Sequence, residues 1–129
     1  MDAVTGAFSY SGAAIAAELL RRGRSVRTLT GHPPATREAL PEGLASIDVR
    51  PLALSDPAEL RGALQGVDTL YNTYWVRFPH GAVTFDDAVA ASARLFAAAA
   101  AAGVRRVVHV SITHADVTSP YGYFRGKGQ

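Results

Sequence analysis

Tyr123 and Lys127 stand four residues apart near the end of the sequence, and Ser111 precedes the tyrosine by twelve. Side chains four apart share one face of a helix, so the ammonium would sit beside the phenol and lower its pKa. A phenol held that way is suited to exchanging a proton with a carbonyl or hydroxyl oxygen, and Ser111 could orient that oxygen. Catalytic work is thus expected of Ser111, Tyr123 and Lys127. The bland alternative is a surface tyrosine and a solvated lysine. Position favours the first reading, and Lys127 is the single lysine beside twelve arginines.

A second group lies at the other end, where Thr5-Gly6-Ala7-Phe8-Ser9-Tyr10-Ser11-Gly12 follows an apolar run and opens a helix. Such a turn lets backbone N–H groups and a helix N-terminus approach a pyrophosphate. Gly6 would allow the tight turn and Gly12 a close packing; Ser9 replaces the middle glycine, crowding a phosphate with its Cβ or donating to it with its hydroxyl. The expected cofactor-binding residues are Gly6, Ala7, Phe8, Ser9, Tyr10, Gly12, His32, Asn72 and Lys127, the lysine holding a nicotinamide ribose. An ordinary strand-to-helix turn is the competing explanation. Past the second strand, Thr30, Gly31 and His32 offer no acid for a ribose 2′-hydroxyl, whereas Arg27, His32 and Arg37 could meet a 2′-phosphate, so NADP is mildly favoured over NAD.

Other residues carry less. The loop Tyr74 to His80 could line a pocket, with Arg77 for an anion, or cover a sheet edge. Asn72 could reach the ribose or satisfy a strand end. His32, His80, His109 and His114 have no metal-ligand spacing, so no metal site is expected, and His109 reads as a buried structural histidine. Asp86 and Asp87 suit a helix N-terminus, and Arg21, Arg22 and Arg24 a helix end.

The elements that must position these residues alternate strand and helix, the pattern of a Rossmann-type α/β fold with a doubly wound parallel sheet of about five strands. Expected strands end at Thr5 and cover Ser25 to Thr30, Ser46 to Pro51, Asp68 to Tyr74 and Val104 to Ile112; the last, rich in valine, reads as covered on both faces. Expected helices run from Ser11 to Arg22 with Gly23 closing, from an Asp56 cap with Pro57 first and Glu59 completing a capping box, and from Thr84, boxed with Asp87, to Gly103. One helical turn is expected at Thr36 to Leu40. Gly122, Gly126 and Gly128 each cost roughly 1 kcal/mol against helix, so Tyr123 and Lys127 are expected as residues without a positioned pair.

The 129 residues, 48% hydrophobic and 19% charged, suit one domain, 1–129. The absence of cysteine excludes disulfides, thiolate metal sites and a cysteine nucleophile. Although the pI is about 9.3, acids are interspersed among the arginines, so no nucleic-acid stripe is expected. The longest apolar run, Phe96 to Ala102, falls far short of a membrane span; no membrane partner and a cytoplasmic location are expected.

Taken with Leu54-Ser55-Asp56-Pro57, Gly66-Val67-Asp68 and Val104 to Ser111, the glycine turn and the Tyr123–Lys127 pair resemble the short-chain dehydrogenase/reductase superfamily, in its atypical and extended branch of epimerase/dehydratase-like and NmrA-like proteins. The resemblance implies a dinucleotide cofactor, hydride-transfer or related sugar- or carbonyl-modifying chemistry on a small molecule, and possible homodimers or self-association. Three positions depart from it: Ser9, Ala53 where relatives often place an aspartate, and Gly31 where NADP users often place an arginine. The resemblance also implies a further strand and substrate lobe beyond Lys127. The expected product is therefore the N-terminal part of an oxidoreductase or epimerase, catalytically incomplete, with apolar surface uncovered on the fifth strand and the third helix. Rival readings are a non-catalytic NmrA-like NAD(P) sensor and a nonfunctional fragment.

Overall fold

A computed structural model describes residues 1–36, 40, 43–76, 78–79 and 83–129. In chain order it contains β1 (Asp2–Thr5), α1 (Tyr10–Arg21), β2 (Val26–Thr30), β3 (Asp48–Pro51), α2 (Pro57–Ala63), β4 (Thr69–Asn72), α3 (Phe85–Ala101), β5 (Arg106–His109) and α4 (Gly122–Gly128). The five strands form one parallel sheet in the order β3-β2-β1-β4-β5. The order reverses between β1 and β4, which opens a crevice beyond their carboxyl ends. The fold is the Rossmann-type α/β arrangement expected from the alternation of elements.

Side chains alternate across the sheet with the strand period of two. On one face Ala3, Leu29 and Leu70 are buried with Leu60 of α2, Leu64 just after it and Leu95 of α3; on the other Val4 and Val26 are buried with Ala16 and Leu19 of α1 and with Ile47. Two ion pairs tie down the sheet's polar ends. Arg24 grips the buried Asp2 carboxylate through two nitrogens at 2.7 and 3.0 Å. Arg27 is 11% exposed, with its Nε 2.7 Å from Asp48 and an Nη donating to the Ala63 and Gln65 carbonyls.

Helix ends follow local chemistry. Asp56 accepts from the N–H groups of Ala58 and Glu59 and Pro57 stands at the first helical position, but the Asp56 N–H donates to the Ala53 carbonyl, so the expected reciprocal bond from Glu59 is replaced by a turn. Thr84 and Asp87 do form the complete capping box.

Two expectations at the sheet's edge are corrected. β5 is not covered on both faces: it is an edge strand with all four residues exposed, and Val107, Val108 and Val110 keep 42, 40 and 39% of their surface in solvent, so of the two expectations for this strand the one of uncovered apolar surface holds. His109 is likewise exposed rather than buried, although its ring meets Phe96 edge-on at 5.7 Å. The turn expected at Thr36 to Leu40 falls largely on residues 37–39, outside the described residues, as do Arg37, Arg77 and His80.

A third correction concerns the last helix. Despite its glycines, 122–128 is helical, because the glycines are where it docks. A Cβ on Gly126 would lie 3.1 Å from the Trp75 ring, and one on Gly122 would lie 2.9 Å from Phe85. The propensity cost is offset by close packing on two aromatic rings. Arg125 also donates to the Ser119 carbonyl, fastening the helix to the loop before it.

Candidate functional site

The glycine turn begins where β1 ends. Gly6 has φ +65°, which a side chain rarely tolerates, and a Cβ on Gly12 would collide with the Gly6 carbonyl oxygen. Thr28, on the neighbouring β2, accepts from the Ala7 N–H at 3.0 Å and donates to the Val4 carbonyl, fixing the turn from beneath. Ala7 is fully buried and Phe8 packs into the core, so both shape the turn from inside.

Ser9 takes the N-cap position of α1, yet its hydroxyl donates backwards to the Gly6 carbonyl at 2.7 Å and caps nothing. No acid occupies the first turn, and no side chain among the described residues accepts from its N–H groups. Those free donors, with the positive end of a twelve-residue helix behind them, fit the phosphate of a dinucleotide. The Ser9 hydroxyl is already committed to the turn.

The ends of β1 and β4 are joined by a polar network. Thr5 Oγ1 donates to Asn72 Oδ1 at 3.0 Å and accepts from the Thr73 and Tyr74 N–H groups, while Thr73 Oγ1 donates to the Thr5 carbonyl at 2.6 Å. Asn72 is fully buried, its Oδ1 also accepts from Tyr74 N–H, and its Nδ2 lies 3.0 Å from His109 Nδ1. Its amide therefore works within the protein, at the strand end, and does not face the pocket. An amide donor there requires His109 Nδ1 as acceptor, hence a neutral ring. Although His109 is exposed, desolvation of the side of its ring that packs against the protein, and then the nearby Lys127 charge, hold its pKa below the ordinary histidine value, in agreement.

Above this network a pocket of about 350 Å³ is lined by Ser9, Tyr10 and Ser11 from the start of α1, Thr73 and Trp75 after β4, Val110, Ser111 and Ile112 after β5, and Tyr123 and Lys127 from α4. The structure therefore brings Ser111, Tyr123 and Lys127 to one cavity with the glycine turn, against the expectation that the pair would lack a position. Tyr123 packs edge-on to Trp75 and Phe85 at 6.3 and 5.7 Å between ring centres. Lys127 Nζ donates to the Val110 carbonyl at 3.0 Å and stands 4.5 Å from the centre of the Trp75 ring. Burial pushes the Lys127 pKa below the usual lysine value. Tyr10, 97% exposed, stands at the rim.

His32 is exposed beyond β2, its N–H donating to Thr30 Oγ1, and it stands apart from this pocket. Arg27 cannot serve a 2′-phosphate as expected, because Asp48 and two carbonyls already engage it. Sequence reasoning passed over Thr28, Thr73 and the docking role of Trp75. The threonines gave no signal beyond strand propensity; Trp75 was legible as a pocket-lining member of the Tyr74 to His80 loop, but not as the ring on which α4 docks.

A reversed strand order, a glycine turn and a pocket at the reversal define a Rossmann-type α/β fold with its crevice at the switch point. Residues 3–115 match the model of the NAD dependent epimerase/dehydratase family, and the chain belongs to that family, within the short-chain dehydrogenase/reductase superfamily. It is 36% identical over 122 residues, 92% of its length, to sterol demethylase protein B of Methylococcus capsulatus. Its fold matches an NADPH-dependent quinone oxidoreductase from Escherichia coli, solved with NADPH, at a TM-score of 0.77 and 29% identity over 98% of the chain. It also matches a short-chain dehydrogenase/reductase superfamily protein from Agrobacterium tumefaciens, solved with NAD, at 0.74 and 25% over 98% of the chain. The chain spans 36% of the length of the first of these and 42% of the other two. No helix among the described residues is long and apolar enough to cross a membrane.

Proposed function

We propose that the chain is the nicotinamide dinucleotide-binding part of an oxidoreductase or epimerase acting on a carbonyl or hydroxyl carbon of a small molecule. One observation carries this reading: the uncapped N-terminus of α1 and the trio Ser111, Tyr123 and Lys127 line the same pocket, at the point where strand order reverses. At about 350 Å³ it is at the small end of the range for ligand pockets, room for the pyrophosphate-to-nicotinamide portion of a dinucleotide. Gly6 to Gly12 would hold the pyrophosphate, and Lys127 the nicotinamide ribose.

A nicotinamide bound there supplies a hydride donor or acceptor. Tyr123 then delivers or removes the proton at the substrate oxygen, and Ser111 orients that oxygen by a hydrogen bond. NADP is favoured, since Thr30, Gly31 and His32 present no carboxylate to a ribose 2′-hydroxyl and His32 is exposed where a 2′-phosphate would pass. Retention of the tyrosine–lysine pair favours a catalytic site over a sensor that only binds. The domain as a unit, a cytoplasmic location and self-association through the exposed β5 edge belong to the same proposal.

The test is a thermal melt of the chain with NADPH and with NADH. A ligand at 100 times its Kd raises stability by about 2.7 kcal/mol. A saturable rise in Tm, larger for NADPH at equal concentration, supports the reading; no shift with either nucleotide at millimolar concentration refutes it.

A further inference from the structure

The chain has one tryptophan and one lysine, and they are in contact. We propose that Trp75 is the positioning residue of the site, holding the Lys127 ammonium at the pocket mouth on its ring face while Gly126 and Tyr123 seat α4 against the same ring. This deepens the function proposed above and rests on its reading of Lys127 as the ribose-holding residue.

Four observations meet at the indole. Phe85 stacks against it at 6.5 Å and 13° between planes, which fixes the ring's orientation from the α3 side. Tyr123 abuts it edge-on. Gly126 approaches so closely that a Cβ there would stand 3.1 Å from the ring, tight enough that the ring would have to give by a few tenths of an ångström. Lys127 Nζ, one residue further, is then held between the ring face and the Val110 carbonyl. Trp75 also lines two cavities: the site pocket, and a mainly apolar one of about 590 Å³ bounded by α3, β5 and α4. Lys127 borders both, so without the ring its flexible stem has a second place to go. An ammonium over an indole face is attracted by the ring's quadrupole, an interaction that an aliphatic leucine does not offer and a phenylalanine ring does. The arrangement is selective for a cation of fixed position, where packing alone would require only bulk.

The single lysine makes this directly observable, because protein labelled with ¹³C-lysine gives one set of side-chain NMR signals. The titratable groups near Nζ are His109 of β5, Tyr123 of α4, Tyr10 of α1 and, in the 129-residue chain, the terminal carboxylate of Gln129, while the lining residues of α3 carry no charge. The 129-residue chain is compared with Trp75→Phe and Trp75→Leu, recording the lysine ε-CH₂ shift and its pH titration. In the parent chain the ε protons are expected upfield of free lysine, from the ring current. Trp75→Phe should keep most of that shift and the titration midpoint. Trp75→Leu should lose the shift and titrate at lower pH, because burial remains and the attraction holding the charge is gone.

If Trp75 serves only to prop up the helix, Trp75→Leu would free Lys127 into water, and its midpoint would rise to the ordinary lysine value. That rise, or an unshifted ε signal in the parent chain, overturns the proposal. A nucleotide titration on the same samples separates the two claims. Failure of the parent to bind NADPH or NADH refutes the function while the lysine signal still decides the role of Trp75. With binding intact, Trp75→Leu should raise Kd about tenfold more than Trp75→Phe does.

Discussion

At the scale of residues, the site depends on contacts that leave no room for an added methyl group. Gly12→Ala would drive a Cβ into the Gly6 carbonyl, reshaping the turn that exposes the α1 N–H groups. The expected outcome is a loss of about 1–3 kcal/mol in stability by chemical denaturation, together with loss of nucleotide binding. Gly126→Ala meets Trp75 at 3.1 Å, and is expected to weaken the Tyr123–Trp75 packing, seen as a change in tryptophan emission. His109 gives a pH dependence. Its folded pKa lies below the ordinary value near 6.5, so the folded state binds fewer protons than the unfolded chain, and stability is full above about pH 6.5 and falls as pH drops through the folded value. His109→Gln, measured by denaturant melts between pH 4.5 and 7.5, should flatten that slope; an unchanged slope would assign it elsewhere. The chemistry-bearing residues were legible because their types and spacing are the signal. For Asn72 the strand-end alternative is the one the structure shows, but nothing in the sequence names Thr5, Tyr74 and His109 as the partners of its amide.

At the scale of elements, what is local was readable and what is tertiary was not. Thr84 and Asp87 form their box within four residues, and Thr84→Ala is expected to cost about 1 kcal/mol in a denaturant melt, with the fold retained. Local propensity misled at α4. Counting the glycines as helix breakers ignores that two of them, at i and i+4, form a flat face for Phe85 and Trp75, residues dozens of positions away. Likewise Glu59 sits at the right spacing for a capping box, but its partner N–H is turned toward Ala53. Arg27 looked free for a phosphate because Asp48 comes to it only through the β2–β3 pairing, and the Ala63 and Gln65 carbonyls only through the packing of the end of α2.

At the scale of the molecule, alternating strand and helix signals sufficed for the parallel sheet, but the edge position of β5 follows from strand order, which periodicity alone does not encode. That edge presents Val107, Val108 and Val110 to solvent beside unpaired backbone groups. Unprotected edges of this kind pair with other chains. Concentration-dependent association by sedimentation is therefore expected, and Val108→Lys should reduce it with little change in Tm; association unaffected by the lysine would place the contact elsewhere.

The central claim is that the glycine turn and α4 build one nucleotide site, and Trp75 is a built-in reporter in its wall. The most direct measurement is titration of NADPH into the chain and into Gly12→Ala, exciting Trp75 and following transfer of its emission to the reduced nicotinamide. Saturable transfer in the parent chain, abolished in the variant, is what the shared pocket predicts. Transfer absent from the parent, or identical in both, would contradict it.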